Sequence, residues 1–201
     1  RDLLLYYGTG KIDTLREYER VVLQPDHYSS NQVETLVSSG TQALAYLSVG
    51  EDTGPPGPWQ LQQRNPIWGG HYVDLGHEGW QRSLVDAASR ALAMGFTGLL
   101  LDTLETPPIL TRGAVHLPHI ATALRRVVGD GWIIANRAHY VSEAVGPFVD
   151  AFLLESFSTT WEDDYRGLRG RELSDNTARL SQLLRFGKPV HALDYSNRNE
   201  L

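Results

Sequence analysis

Seven short apolar runs alternate along the chain with segments in which apolar residues recur at helical spacing. The runs are Leu3–Tyr7, Val21–Gln24, Gln42–Val49, Thr97–Asp102, Trp132–Ala135, Ala151–Glu155 and Pro189–Asp194. Most of them are continuous rather than alternating in polarity, which is typical of strands buried on both faces of a parallel sheet. A strand–helix repeat of this kind predicts an α/β fold with a parallel sheet.

The segments between the runs carry helix start and stop signals. Asn31 lies three residues before Glu34, which predicts a capping box, and Ser174 predicts an N-cap for the last helix. Two weaker patterns predict short helices within residues 9–19 and 139–147. The main helices are predicted over 31–40, 80–95, 118–129 and 174–187, each ended by a glycine.

The number and order of the strands favour a barrel over a doubly wound sheet. A (β/α)8 TIM-type barrel has eight strands and about 250 residues, whereas this chain has 201 and stops just after its seventh run. We therefore expect residues 1–201 to form a single TIM-type barrel domain. Its eighth βα unit is either missing or atypical. In the second case the stretch around His71–Leu75 would contribute it. The Pro- and Gly-rich segment Asp52–Gly70 is predicted to be a long loop.

Two carboxylates directly follow long apolar runs. Asp102 comes after Leu99–Leu101, and Glu155 comes after Phe152–Leu154. Active sites of parallel barrels lie at the carboxyl ends of the strands, and hydrolysis of a glycosidic bond needs two carboxyl groups that flank it. The sequence therefore predicts Asp102 and Glu155 as a catalytic pair, although each taken alone could be a solvated loop residue.

Polar and aromatic residues close most of the other runs and suggest a carbohydrate site, where rings stack on sugars and polar groups bind hydroxyls. Each candidate has a structural alternative: Ser48 could pack inside the barrel, Glu51 could begin a loop, and Asn136 could cap a helix. Trp161 precedes 162–164, an acidic segment predicted to be solvated, whereas Trp59 and Trp68 could form a lid or anchor their loop. The candidate substrate-binding residues are Tyr7, Asp26, Tyr46, Ser48, Glu51, Asn136, Trp161, Asp194 and Tyr195.

Four segments make the chain recognisable when they are taken together: Tyr6-Tyr7-Gly8, Ala45-Tyr46-Leu47-Ser48-Val49-Gly50-Glu51, Val73-Asp74-Leu75 before Trp80, and Gly95–Leu104, which contains Asp102-Thr103. They resemble the endo-α-1,4-polygalactosaminidase family of glycoside hydrolases, family 114, from the first strand to at least Glu155. The resemblance implies a TIM-type barrel, an extracellular, cell-surface or periplasmic setting, and a polysaccharide substrate rich in α-linked galactosamine. It also implies that Asp102 is the nucleophile and Glu155 the general acid/base of a retaining reaction.

Composition narrows the classes of function. The chain lacks cysteine, which excludes disulfides and thiol chemistry and argues against a structural zinc site. Its net charge of -6 and the absence of a Lys/Arg cluster argue against nucleic-acid binding. No apolar run approaches the roughly 20 residues that span a bilayer. The chain begins with Arg1 and carries no signal-peptide pattern, so we expect a processed or trimmed chain.

Three other functions compete with hydrolysis. Gly8-Thr9-Gly10-Lys11 follows a strand but lacks the spacing of a phosphate-binding loop. The histidine pairs at 116 and 119 and at 71 and 77 lack the His-Glu-x-x-His pattern of a metal hydrolase, so we expect neither a metal nor a cofactor. A non-catalytic sugar-binding protein on the same barrel stays open, because binding and catalysis share most of a cleft.

Overall fold

The computed structural model describes residues 2–161 and 165–195. Its strands are β1 (Leu3–Tyr6), β2 (Arg20–Leu23), β3 (Gln42–Ser48), β4 (Glu51–Asp52), β5 (Gln60–Arg64), β6 (His71–Val73), β7 (Gly98–Asp102), β8 (Trp132–Asn136), β9 (Ala151–Glu155), β10 (Thr159–Thr160), β11 (Arg166–Gly167) and β12 (Val190–Leu193). Its α-helices are α1 (Ile12–Leu15), α2 (Ser30–Ser38), α3 (Glu78–Ala93), α4 (Pro107–Thr111), α5 (Leu117–Val128), α6 (Ser142–Val145) and α7 (Arg171–Leu184). Short 3-10 turns cover Pro25–His27, Gly113–His116, Ala138–Val141 and Gly146–Phe148.

The seven predicted runs form one parallel sheet in the order β1-β2-β3-β7-β8-β9-β12. All seven strand predictions are confirmed to within one residue at every end, and the order of the strands in the sheet follows the chain. The sheet is the predicted TIM-type barrel in incomplete form, since no strand within 2–161 and 165–195 joins β12 back to β1. The prediction that residues 1–201 form one domain stays a prediction.

Alternate residues of each strand enter two separate apolar layers. One layer lines the concave interior and includes Val22, Leu44, Leu100, Ile134 and Leu153. The other, larger layer packs between the sheet and the helices. Because successive strand side chains point to opposite faces, positions two residues beyond the interior layer also face inward. At the carboxyl ends these positions are Tyr46, Asp102, Asn136 and Glu155.

The predicted long loop at Asp52–Gly70 is wrong in part, because β5 lies inside it. β4, β6 and β5 form a separate antiparallel sheet of three strands, in which Glu51 pairs with Tyr72. β6 therefore does not complete the barrel, and the alternative in which the stretch around His71–Leu75 supplies the eighth strand is wrong. Trp59 anchors this sheet, since its indole nitrogen donates to Asp52 at 2.7 Å.

Both predicted N-caps are wrong because the helices begin earlier than expected. In α2 the capping box is formed by Ser29 and Gln32, whose side chains bond each other's backbone N–H. In α7 the N-cap is Gly170, so that Ser174 already lies in the first turn. α4 was not predicted, whereas the helix ends at Gly40, Gly95, Gly129 and Gly187 are confirmed by a left-handed φ at each glycine.

The helices pack their apolar faces on the outside of the sheet. α3 buries Trp80, Leu84, Ala88 and Ala91 at the spacing predicted for it, and the Trp80 indole donates to the Val49 carbonyl at 2.8 Å. This bond ties α3 to the loop at the end of β3. In the described part of the chain, no helix has the length and apolar character needed to cross a membrane.

Candidate active site

Asp102 and Glu155, here called the carboxylate pair, face one another at the carboxyl end of the barrel. Asn136 lies on the strand between them, and its amide nitrogen donates to Asp102 Oδ1 at 2.9 Å and to Glu155 Oε2 at 2.9 Å. Asn136 is only 2% exposed, which fixes its orientation by packing as well as by hydrogen bonds. One amide group therefore joins the two predicted catalytic residues.

The shared amide limits the separation of the carboxylate pair. Two oxygens that each lie 2.9 Å from one nitrogen are at most about 5.8 Å apart, and the roughly 120° between the two N–H bonds gives about 5 Å. Carboxyl groups about 5–5.5 Å apart are typical of retaining glycosidases, and about 6.5–9.5 Å of inverting ones. The spacing therefore favours a retaining reaction.

Three tyrosines surround the pair. The Tyr46 hydroxyl donates to Asp102 Oδ2 at 2.7 Å, and the Tyr195 hydroxyl donates to Glu155 Oε1. Tyr7 packs edge-on against Tyr46 with ring centroids 5.5 Å apart, and it is 46% exposed. Burial, followed by the nearby carboxylates, raises the pKa of all three hydroxyls above its ordinary value. They therefore remain donors over the physiological range.

The backbone adopts an uncommon conformation directly after each residue of this group. Thr103, Arg137 and Ser156 follow Asp102, Asn136 and Glu155, and they have φ values of 60°, 48° and 55°. The left-handed region costs a non-glycine residue about 1–2 kcal/mol, and such strain is typical of functional sites. At Thr103 the turn is tied down by its hydroxyl, which accepts from the Gly50 N–H at 2.7 Å.

Glu51 lies on the side of the site next to β3. It is buried, and its Oε1 accepts from the Asn65 side chain at 2.7 Å. Burial raises the pKa of Glu51, the Asn65 bond lowers it and the charge of Asp102 raises it, for a net upward direction. The alternative in which Glu51 only begins a loop is therefore less favoured, since Glu51 is buried within reach of the Asp102 charge.

Sequence reasoning missed Glu105, which lies three residues after Asp102. Its Oε1 is 2.8 Å from the Arg137 Nε, and its side chain is 26% exposed. Burial raises the pKa of Glu105 most, Arg137 lowers it, and Asp102 and Glu155 raise it further, to about 7. The sequence signal that was available is its position: Glu105 is a second carboxylate shortly after Asp102, so its segment can fold back toward the site.

Three predicted site residues do not bond the carboxylate pair: two have other partners and one is exposed. The Ser48 hydroxyl donates to the Glu51 carbonyl at 2.8 Å. Asp194 accepts three hydrogen bonds from Ser158 and Thr159; burial alone would raise its pKa, but these bonds lower it. Asp26 is exposed in the turn after β2, with no hydrogen bond to the carboxylate pair among the described residues.

Two tryptophans meet across the mouth of the barrel. Trp161 lies on the connection that follows β9, and its ring is 5.7 Å from that of Trp68. Trp68 belongs to the segment between β5 and β6 and is 70% exposed. Asn65, near Trp68 in sequence, bonds Glu51, so the segment is joined to the site. The acidic segment predicted at 162–164 lies outside the described residues.

Within 2–161 and 165–195, no three His, Cys, Asp or Glu side chains are arranged to hold a metal ion. No protein-family model matches the chain. One curated relative, an uncharacterized protein of Methanocaldococcus jannaschii, is 28% identical over 102 residues, which cover 44% of this chain. The chain spans 29% of that relative's length.

Solved structures resemble the chain over almost its whole length. The glycoside hydrolase domain of PelA from Pseudomonas aeruginosa has a TM-score of 0.90 and 24% identity, covering 99% of this chain and 85% of that domain. Aspergillus fumigatus Ega3, solved in complex with galactosamine, has a TM-score of 0.75 and 14% identity, with coverages of 97% and 76%. The α-galactosidase of Thermus thermophilus has a TM-score of 0.64 and 17% identity, with coverages of 96% and 50%. At these identities the likeness shows the fold, and it confirms the TIM-type barrel.

Proposed function

We propose that this protein is a retaining glycoside hydrolase that cleaves internal bonds of a polysaccharide containing α-linked galactosamine. The observation that carries the proposal is the Asn136 amide, which donates to both Asp102 and Glu155 at 2.9 Å. This shared donor supports a short separation of the two bonded carboxyl oxygens, of the size typical of retaining enzymes, at the end of the barrel where such sites lie.

The chemistry assigns a separate role to each carboxyl group. Asp102 attacks the anomeric carbon, while Glu155 donates its proton to the leaving glycosidic oxygen, and a glycosyl-enzyme ester forms on Asp102. Glu155, now ionised, then takes a proton from water, which displaces Asp102 and restores both groups. Tyr46 and Asn136 donate to Asp102 and hold it in one orientation for the attack.

The substrate class follows from the residues around the pair and from the structural relatives. Buried Glu51 adds negative charge beside Asp102, which suits the ammonium group of an amino sugar. Ega3, a relative in fold, was solved in complex with galactosamine. The partly exposed rings of Tyr7 and Trp161 provide faces on which sugars stack.

We also propose which residues bind the sugar, that the substrate is a polymer, and where the protein acts. Asn136 and Tyr195 bind or orient the reacting sugar together with Glu51 and Tyr46. Trp68, which touches Trp161, extends the stacking surface away from the carboxylate pair and suits a polymer rather than a single sugar. A polysaccharide substrate of this kind is met outside the cell, so we infer an extracellular, cell-surface or periplasmic setting.

The test uses a polymer of α-1,4-linked galactosamine and measures new reducing ends. We expect Asp102→Asn and Glu155→Gln each to abolish turnover while the circular dichroism spectrum and the urea midpoint remain close to those of the wild type. Asp86→Asn, on the exposed side of α3, is the matched control and should keep full activity. Proton NMR of the first product should show the α-anomer, as retention requires.

Three outcomes would contradict the proposal in whole or in part. Near-wild-type turnover in either carboxylate variant would remove the pair from the mechanism. A wild-type protein that binds the polymer without cleaving it, and whose Asp102→Asn variant binds equally well, would instead be a non-catalytic sugar-binding protein. A first product in the β-anomeric form would keep the hydrolase but contradict the retaining reaction.

A further inference from the structure

Glu105 and Arg137 join the turns that follow two neighbouring strands of the barrel. Glu105 lies in the turn after β7, which ends at Asp102, and Arg137 begins the turn after β8, which ends at Asn136. The Glu105 Oε1 and Arg137 Nε atoms are 2.8 Å apart. This ion pair therefore connects the segments that support the nucleophile candidate and the bridging amide.

The ion pair is poorly suited to a purely stabilising role. Glu105 Oε2 and Arg137 Nε are both buried atoms without a hydrogen-bond partner among the described residues, so the 2.8 Å contact is an ion pair that is not aligned as a hydrogen bond. The charged groups that act on Glu105 are Arg137 from β8's turn, Asp102 from β7 and Glu155 from β9, and the two carboxylates repel it. A half-buried ion pair with these neighbours is weak evidence for stability.

Arg137 has a strained backbone directly beside Asn136, where a small backbone movement would displace the amide that bonds both carboxylates. Its φ of 48° is left-handed, and it directly follows Asn136. If this turn relaxed toward an ordinary conformation, the preceding residue would rotate. Both Asn136 hydrogen bonds are 2.9 Å long and share one nitrogen, so a rotation would lengthen at least one of them.

We propose that Glu105 is a positioning residue, which holds Arg137 in the left-handed turn and thereby keeps the Asn136 amide between Asp102 and Glu155. This inference rests on the proposed function, because only in a hydrolase does the Asn136 amide between Asp102 and Glu155 have a catalytic role. Glu105 does not touch the substrate in this role. It acts on the geometry of the carboxylate pair through Arg137 and Asn136.

The kinetic test compares Glu105→Gln with the wild type on the galactosamine polymer. Because Glu105 gains its charge near pH 7, the ion pair is strongest above that pH. We expect the kcat ratio of wild type to variant to be on the order of tenfold or more at pH 8 and to approach one at pH 5.5, with KM little changed. A ratio that does not vary with pH, or a change confined to KM, would overturn the inference.

A spectroscopic test needs no substrate. The side-chain amide protons of Asn136 can be followed by NMR at pH 8, and their resonances should move in Glu105→Gln toward those of a free amide. Glu78→Gln, which breaks an exposed ion pair with Arg82 on α3, should leave them in place and keep full activity. Unmoved Asn136 resonances in Glu105→Gln would refute the positioning role even if the protein is a hydrolase.

The two tests separate this inference from the proposed function. If the wild type does not cleave the polymer, the proposed function fails, while the Asn136 resonances still decide whether Glu105 positions the amide. If the wild type cleaves the polymer and Asp102→Asn does not, but Glu105→Gln matches the wild type at pH 8, only the positioning role fails.

Discussion

Replacing Glu105 with glutamine should make the protein more stable at alkaline pH. The pKa of Glu105 is raised to about 7 from an ordinary value of 4.5, chiefly by burial. Between these two values the folded protein holds a proton that the unfolded chain has released, so stability falls as pH rises through this window. Glutamine does not ionise, and the variant avoids this loss.

The magnitude follows from the two pKa values. A difference between about 7 and 4.5 corresponds to about 3 kcal/mol at roughly 1.36 kcal/mol for each tenfold change in acidity. The favourable effect of Arg137 is already contained in the raised pKa, so it does not need to be subtracted again. For a chain of this length, 3 kcal/mol corresponds to a rise in Tm of about 6–12 °C at pH 8.

The assay is urea unfolding of wild type and Glu105→Gln at pH 4.5 and pH 8. We expect equal midpoints at pH 4.5, where Glu105 is protonated in the folded protein, and a higher midpoint for the variant at pH 8. Glu34→Gln, on the exposed side of α2, controls for removing a negative charge and should show no such difference. A variant that is no more stable than the wild type at pH 8 would refute the reasoning.

Other expected effects test the bridge and the packing that supports it. Asn136→Ala should lower kcat by about 10²-fold, because the carboxylate pair loses its shared donor, and single-turnover kinetics would measure it. Gly98→Ala should destabilise the barrel by about 3 kcal/mol or more in urea unfolding, since a Cβ there would lie 2.1 Å from the Trp132 carbonyl oxygen. Arg125→Ala should cost about 1–3 kcal/mol by the same assay, because it removes the ion pair with Asp150 and the donor of the part-buried Phe148 and Gly131 carbonyls, while the Ile133 N–H still bonds Asp150.

The barrel strands could be predicted because their signal is local. The run Ala151–Glu155 is apolar up to Leu154 because these four residues are buried on both faces, and its bounds match β9. β4, β5 and β6 lack this signal, because they are short and their sheet is largely exposed: the last three residues of β5, which point to both faces, are all exposed. Their pairing depends on contacts between distant segments, which the pattern along the chain does not contain.

The site was predictable at strand ends and less so elsewhere. Asp102, Asn136 and Glu155 each close an apolar run, and parallel strands bring such ends together. The partners of Ser48 and Asp194 depend on which way a loop folds, so their structural roles could not be deduced. Glu105 was missed for the same reason, since its importance comes from Arg137, which lies 32 positions further along the chain.

Thr103, Arg137 and Ser156 have a left-handed backbone, which glycine would adopt without strain. The contacts made by their side chains show why the site uses other residues there. At position 103 a threonine hydroxyl accepts from Gly50, and at position 137 an arginine pairs with Glu105, so two of the strained residues supply contacts that glycine lacks. Each contact joins one strand end to a neighbouring loop. The strain of about 1–2 kcal/mol per residue therefore accompanies ties that fix the positions of Asp102 and Asn136. It follows that Arg137→Gly should relax the strained backbone and also lower activity, because the contact with Glu105 is lost. If the strain had no function, the same variant would be more stable and keep its activity.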